Sequence, residues 1–118
     1  VDIDWKKKWL KKINYKDDLE ELKIAKSRII SLGRKKYTTN KIDGRFMGIS
    51  KFSKSFLNKN KQKEIIQKIL NKDKKIDFTS FLMHLIKNKI KIYAIKGRFN
   101  WTEFDTLSDF ETYQKKLK

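Results

Sequence analysis

The stretch "DFTSFLMHLI", residues 77–86, has the most regular apolar pattern of the chain. Its large apolar side chains recur at i, i+3, i+4, i+7 and i+8, namely at Phe78, Phe81, Leu82, Leu85 and Ile86. This spacing places them in one stripe along a helix. The sequence therefore predicts an amphipathic helix that needs an apolar surface to cover its stripe. His84, the single histidine, lies off the stripe, and we expect a surface or packing role for it because one histidine alone forms neither a metal site nor a triad.

Strand patterns lie on both sides of this helix. "LEELKIA" (19–25) and "RIISLG" (28–33) predict two strands, the second ended by Gly33. "GRFMGISKF" (44–52) alternates between two faces, which predicts a strand with a glycine inside it. "KIKIYAI" (89–95) alternates lysine with apolar residues and predicts another strand. Strands before and between helices give a mixed α/β chain.

The two ends and the middle complete this outline. "VDIDW" (1–5) predicts a short strand, and "WKKKWLKKI" (5–13) has its apolar residues at near-helical spacing. Residues 53–70 predict a helix that is loosened or broken at "KNKQK" (59–63). "NWTEF" (100–104) predicts a short strand. The last segment, 105–118, predicts a helix capped by Thr106 with Asp109 three residues later.

Composition limits the classes of function. The 118 residues suffice for one domain, residues 1–118, and they contain no cysteine, which excludes disulfides and thiol chemistry and fits a reducing, cytoplasmic compartment. The sequence has no apolar run long enough to cross a bilayer. The first residue is Val1 rather than methionine, so we expect a piece of something longer.

The net charge of +17 favours a partner that carries phosphate, and lysine interleaved with aromatic residues is also found in small nucleic-acid-binding domains. Lysine outnumbers arginine 27 to 4, however, and is spread over every segment. Such a distribution is typical of a solvated surface, because fixed phosphate geometry favours arginine. "GRFMGISKF" also departs from the aromatic strand of an RNA-recognition motif. Nucleic-acid binding therefore stays the alternative interpretation.

Three carboxylates have positions at which chemistry is plausible. Asp105 lies where a predicted strand ends and a helix begins, so it either complements the helix N-terminus or holds a magnesium ion. Asp2 and Asp4 share one face of the predicted first strand, where they either meet solvent or share a cation. Local patterns leave both questions open.

Taken in order, "VDIDW", "DDLE", "IISLG", "IDGRFMGISKFS", "FTSFLMHLI" and "WTEFDTLSDFETY" resemble the C-terminal half of sugar-nucleotidyltransferase-like proteins. They are most similar to the branch that contains phosphocholine cytidylyltransferases. The resemblance covers essentially the whole chain, and "FMGISKFS" and "WTEFDT" are its specific parts. It implies a GT-A-like, Rossmann-like α/β fold in which a mixed sheet is flanked by helices on both sides.

The resemblance also implies a reaction. A phosphorylated small acceptor attacks the α-phosphorus of a nucleoside triphosphate, with CTP favoured, and pyrophosphate leaves with the help of Mg²⁺. Asp105 would be a catalytic, metal-binding carboxylate, with Glu103 beside it. The residues expected to contact substrate are Asp2, Asp4, Trp5, Lys51 and Trp101.

The chain lacks the glycine-rich loop, with its arginine and lysine, that holds the triphosphate in this family, and the family's other metal-binding aspartate. Both belong to the N-terminal half. We therefore expect the chain to be the acceptor-side portion of a longer enzyme, to be inactive alone, and to associate with that N-terminal half or with itself.

Overall fold

The structure is a computed structural model that describes residues 1–9, 19–35, 39–98, 101, 103, 104 and 106–117. In chain order its helices and strands are α1 (Trp5–Trp9), β1 (Glu20–Ala25), β2 (Arg28–Lys35), α2 (Lys54–Asn58), α3 (Asn60–Lys72), α4 (Phe78–Lys87) and α5 (Leu107–Leu117). A short 3-10 turn, Thr39–Lys41, follows the second strand.

The two predicted strands form an antiparallel hairpin, which confirms the prediction for 19–25 and 28–33. Its turn has two residues, Lys26 and Ser27, and both have positive φ, 46° and 64°. A tight turn with this backbone matches the twist of the strands, although asparagine and glycine adopt it at lower cost. The sequence predicted that the second strand ends at Gly33. This prediction was wrong, because β2 continues to Lys35.

Helix α4 packs against β2, so the amphipathic helix predicted for 77–86 is confirmed. Gly33 lies at the closest approach: its φ is +80°, and a Cβ added there would overlap the Cγ2 atom of Thr79. Helix, hairpin and α3 enclose one core cluster, made of Leu22, Ile29, Leu32, Ile69, Leu82, Leu85 and Ala94.

The segments 44–52 and 89–95 are not strands, contrary to the sequence prediction. Each makes isolated bridges: Arg45 pairs with Asp2, and Tyr93 pairs with Arg28. Gly48, with a φ of +73°, interrupts the extended backbone of the first segment. Ala94 belongs to the core cluster, and Phe46, Phe52, Ile90 and Ile92 are partly buried against it, whereas Ile49 and Ile95 are exposed. This packing needs no continuous hydrogen-bonded ladder.

The prediction of a strand for "VDIDW" was wrong. Asp2 makes isolated bridges only, and the chain turns at once into α1, which begins at Trp5. The side chain of Asp2 accepts a hydrogen bond from the backbone N–H of Asp4 at 2.9 Å, a local contact that favours a turn over an extended strand. Asp2 is buried and Asp4 is partly exposed, so the two carboxylates do not share a strand face.

The remaining helices follow the sequence closely. The break predicted within 59–63 falls at Lys59, between α2 and α3, and Ser53 caps α2 through the N–H of Phe56 at 3.1 Å. Helix α5 has the predicted capping box: Thr106 Oγ1 accepts from the Asp109 N–H at 3.2 Å, and Asp109 Oδ2 accepts from the Thr106 N–H at 3.1 Å. The described residues of "NWTEF" are not in a strand.

The mixed α/β class is confirmed, with a two-stranded sheet and flanking helices among the described residues. The larger GT-A-like sheet stays a prediction. No helix within the described ranges has the length and apolar character needed to cross a membrane.

Candidate functional site

Asp2 lies where three distant segments meet. Its backbone exchanges two hydrogen bonds with Arg45, each 2.9 Å long. Its neighbours pair with Gly97: the Ile3 N–H donates to the Gly97 carbonyl and the Gly97 N–H donates to the Val1 carbonyl, both at 3.0 Å. Asp2 is thus bridged to one segment from the middle of the sequence, at Arg45, and to one nearer its C-terminal end, at Gly97.

The carboxylate of Asp2 is buried, with 0% of the residue exposed. Its Oδ1 accepts from the Asp4 backbone N–H at 2.9 Å, and its Oδ2 accepts from the indole Nε1–H of Trp101 at 2.9 Å. Hydrogen bonds of this kind compensate for the desolvation of a buried carboxylate.

Gly44 and Asp43, the two residues before Arg45, connect this segment to Asp2 and to β1, respectively. Gly44 is in tight contact with Asp2, since an added Cβ would lie 2.5 Å from Val1 Cγ1 and 3.0 Å from the Asp2 carbonyl oxygen. Asp43 attaches the same segment to β1: its Oδ2 accepts from the Ile24 N–H at 2.8 Å and its Oδ1 accepts from Lys23 Nζ at 3.0 Å. Desolvation raises the pKa of Asp43, but these hydrogen bonds and the charges of Lys23 and Lys96 together lower it by more, so the pKa of Asp43 lies below the ordinary value.

Arg45 and Glu103 form a second connection to the C-terminal segment. The guanidinium Nη2 lies 3.9 Å from Glu103 Oε2, and only 11% of the Arg45 side chain is exposed. Trp101 packs against a second buried cluster, composed of Trp5, Leu19 and Ile42. A hydrogen bond therefore joins Trp101 to Asp2, and an ion pair joins Glu103 to Arg45, the backbone partner of Asp2.

A cavity of about 460 Å³ opens next to this junction. Its apolar wall includes Leu22, Leu32, Phe46 and Phe78. Its ionisable lining residues are Glu20, Glu21, Glu103 and Arg45. Glu21 is 8% exposed, accepts a hydrogen bond from the Ser31 hydroxyl, and lies 4.0 Å from Arg34 Nε. Among the described lining residues carboxylates outnumber cations, although the chain as a whole is strongly basic.

The site residues that the sequence predicted are not all at the cavity. Asp2 and Trp101 contact each other, and Glu103 lines the cavity. Trp5 is 2% exposed, inside the second cluster. Asp4 is partly exposed, with its Oδ2 3.5 Å from Lys7 Nζ.

Lys51 is exposed and is not part of the cavity lining. Asp105 lies outside the described residues, so its predicted metal-binding role stays a prediction.

Sequence reasoning missed three lining residues, Arg45, Glu20 and Glu21. Arg45 is one of only four arginines in a lysine-rich chain, and this rarity was a usable signal. The glutamates lie in β1, where the pattern predicted a strand but gave no indication of what the strand faces. Their proximity to Glu103 arises from tertiary structure.

The donor chemistry around Asp2 suits a hard cation, because carboxylate oxygens are the ligands that Mg²⁺ prefers. Asp2 and Glu103 both lie beside the segment that leads to Asp105. Within the described part of the chain, however, no group of three or more His, Cys, Asp or Glu side chains has metal-binding geometry. Asp2 and Glu103 alone do not make a metal site.

Comparison with known proteins connects this geometry to a class of enzyme. The chain is 34% identical, over 127 aligned positions, to a CTP:phosphoglutamine cytidylyltransferase from Campylobacter jejuni. The alignment covers 98% of this chain and 48% of the relative, so the chain spans about half the length of the curated relative. No protein-family model matches the chain, and the search of solved structures found no significant match.

Proposed function

We propose that this chain is the acceptor-side, C-terminal part of a cytidylyltransferase that transfers a CMP group from CTP to a small phosphorylated acceptor and releases pyrophosphate. The observation that carries the proposal is the 34% identity to a cytidylyltransferase along 98% of the chain. The order of motifs in the sequence, ending in "WTEFDT", points to the same class.

The geometry around Asp2 supports a reaction centre at this point. Asp2 and Trp101, 99 residues apart, are joined by a hydrogen bond, and Arg45 pairs with Glu103 two residues further on. Asp105 follows Glu103 by two positions in the sequence. We propose that Asp105 binds Mg²⁺ and that Glu103 and Asp2 supply further carboxylate oxygens. The bound ion would neutralise charge on the phosphates.

The chain's own residues would then act mainly by positioning. The Trp101 indole N–H and the Asp4 backbone N–H fix the Asp2 carboxylate in one orientation. Fixed orientation of reacting groups lowers the entropic part of the barrier. For Asp4 and Lys51 we retain the proposed acceptor-side role, in which the exposed Lys51 approaches a phosphate. Trp5, which is 2% exposed, would contribute to that side by packing.

Pyrophosphate release from CTP tests the proposal. The protein is expressed from a coding sequence that includes whatever precedes Val1, and it is assayed with Mg²⁺ and a panel of phosphorylated small molecules. We expect turnover, a loss of kcat of about a hundredfold or more in Asp105→Asn, and no turnover by the 118-residue chain alone.

Asp73→Asn, an exposed change at the end of α3, is the matched control and should keep full activity. Turnover by the short chain would contradict its proposed role as a partial domain. Failure of the longer protein with every acceptor would contradict the cytidylyltransferase proposal.

The charge of +17 keeps a small nucleic-acid-binding domain as a second candidate. Phosphate-dominated binding should weaken by several decades between low and moderate salt. The carboxylate-rich lining of the cavity argues against nucleic acid at that position, because phosphates would meet Glu20, Glu21 and Glu103 there. Strong binding of single-stranded oligonucleotides by the 118-residue chain, steeply dependent on salt, would favour this candidate over the enzyme.

A further inference from the structure

Helix α5 exposes its apolar side chains. Leu107 is 72% exposed, Phe110 is 41% exposed and Tyr113 is 39% exposed, and these three residues follow one another at helical spacing. Phe104, just before the helix, is 44% exposed. Thr112, a polar residue on another side of α5, is half-buried. A surface helix of a single domain usually shows the reverse arrangement, with its apolar side chains covered.

Phe104, Leu107, Phe110 and Tyr113, which we call the outer face of α5, form one continuous surface. The ring of Phe104 lies edge-on against the rings of Phe110 and Tyr113, with centroids 5.6 and 5.4 Å apart. Within the described ranges, α5 makes no extensive contact with another helix or strand. Contiguous apolar surface of this kind is typical of interaction sites.

The charges along α5 indicate which partner fits the outer face. Glu111 and Lys115 are both exposed and lie four positions apart, on one flank of the helix. Tyr113 lies midway between them in the sequence. If two α5 helices pair antiparallel about a twofold axis at Tyr113, each Glu111 lies level with Lys115 of the other copy. A twofold interface requires this self-complementarity, whereas a parallel pair would set like charges side by side.

We infer that the outer face of α5 is a self-association surface, at which two copies of this chain pair their α5 helices antiparallel about Tyr113. Burial of the aromatic rings drives the association, and the two pairs of Glu111 with Lys115 set its direction. One short helix from each copy makes a small interface, and the net charges of +17 repel each other. We therefore expect a weak dimer, with a Kd on the order of 100 µM at moderate salt.

Sedimentation equilibrium of the 118-residue chain, from about 10 µM to 1 mM, measures this association. Tyr113→Glu places a charge at the axis and should raise the Kd of the dimer at least about tenfold. Tyr93→Glu is the matched control, because Tyr93 is 62% exposed and lies outside α5, and the Kd should not change. A chain that stays monomeric, or a dimer that Tyr113→Glu leaves intact, would overturn the inference.

Reversal of the flanking charges tests the pairing. Glu111→Lys and Lys115→Glu should each weaken their own dimer about fivefold or more, because like charges then face each other. An equimolar mixture of the two variants should recover the wild-type affinity, since each chain then supplies the charge that the other needs. Glu64→Lys makes the same change in net charge on the exposed side of α3 and is the control. A loss that mixing does not recover would overturn the pairing.

Disulfide cross-linking tests the direction, and the absence of cysteine from the chain gives a clean background. In the antiparallel pair, two copies of residue 114 lie about 3 Å apart along the helix axes, and two copies of residue 107 lie about 18 Å apart. Gln114→Cys should therefore cross-link under oxidation, and Leu107→Cys should not. Any other pattern would overturn the antiparallel pairing. None of these measurements involves pyrophosphate release, so their failure would leave the proposed function standing, and the converse also holds.

Discussion

The two buried clusters of this molecule are built on different principles. The first, between the hairpin, α3 and α4, consists of apolar side chains that all come from helices or strands except Ala94. The second is small, with Trp5, Leu19 and Ile42, and it lies beside a buried carboxylate and residues distant in sequence. We conclude that the first cluster supplies most of the stability, whereas the second serves to hold Asp2 and Trp101 in place.

The largest expected effect is in the first cluster. Leu85 is fully buried between α4 and the hairpin. Leu85→Ala should lower the free energy of unfolding by about 2 to 5 kcal/mol through lost burial and a residual cavity. Urea denaturation measures the change. Leu107→Ala, at a leucine that is 72% exposed, is the control and should stay within about 0.5 kcal/mol.

The contact between β2 and α4 should be nearly as sensitive. Gly33→Ala places a Cβ on Thr79 and forces a non-glycine residue to a φ of +80°, so we expect a loss of about 2 to 4 kcal/mol. Thr79→Ser in the same chain removes Cγ2 and should recover the steric part. Gly48→Ala separates the two causes, because its φ is +73° and no atom lies within 4 Å of the added Cβ. Equal losses at Gly33 and Gly48 would show that steric overlap is irrelevant.

The second cluster should respond more weakly in stability. Trp101→Phe keeps an aromatic ring but removes the N–H donor to the buried Asp2 carboxylate, at a cost of about 1.5 to 3 kcal/mol. A double-mutant cycle with Asp2→Asn, measured by urea denaturation, isolates the coupling between the two side chains. A coupling energy near zero would mean that the hydrogen bond does not hold the C-terminal segment.

The smallest effect concerns a helix end outside both clusters. Asp77 caps α4 by accepting the Ser80 N–H at 2.9 Å. Hydrogen bonding from the Ser80 side chain, and after it from the Ser80 backbone N–H, holds the pKa of Asp77 below the ordinary value. Asp77→Ala should cost about 1 kcal/mol at neutral pH. Because the folded-state pKa is lowered, this stabilisation is present above the ordinary aspartate pKa of about 3.9 and is lost as the pH falls through the lowered value.

Urea denaturation at neutral pH and in steps below pH 4 checks this prediction. The difference between wild type and Asp77→Ala should shrink as the pH falls. Ser53→Ala at the start of α2 removes a cap that does not titrate. The loss in free energy of unfolding caused by Ser53→Ala should therefore be independent of pH. If this loss also shrinks as the pH falls, the effect of acid belongs to the whole chain and not to Asp77.

The sequence predicted the apolar stripe that packs against the first cluster, and the ends of several helices, because these features depend on local periodicity and on neighbouring residues. The stripe from Phe78 to Ile86, the break near Lys59 and the Thr106–Asp109 capping box depend on residues only a few positions apart. The strand predictions for 44–52 and 89–95 failed because alternation shows burial on one side but not a hydrogen-bonding partner. The described residues of these segments pack partly against the core cluster and make only isolated bridges.

By itself the sequence determined the amphipathic helix α4, the hairpin, the helix caps, the charge, and an order of motifs that resembles that of nucleotidyltransferases. Only the tertiary structure decided that Asp2 is buried against Trp101 and that Glu20, Glu21 and Glu103 line one cavity. The physical reason is the range of the contacts. Helix and strand patterns arise from neighbours in the chain, whereas a buried carboxylate is stabilised by donors that folding brings from the far end of the sequence.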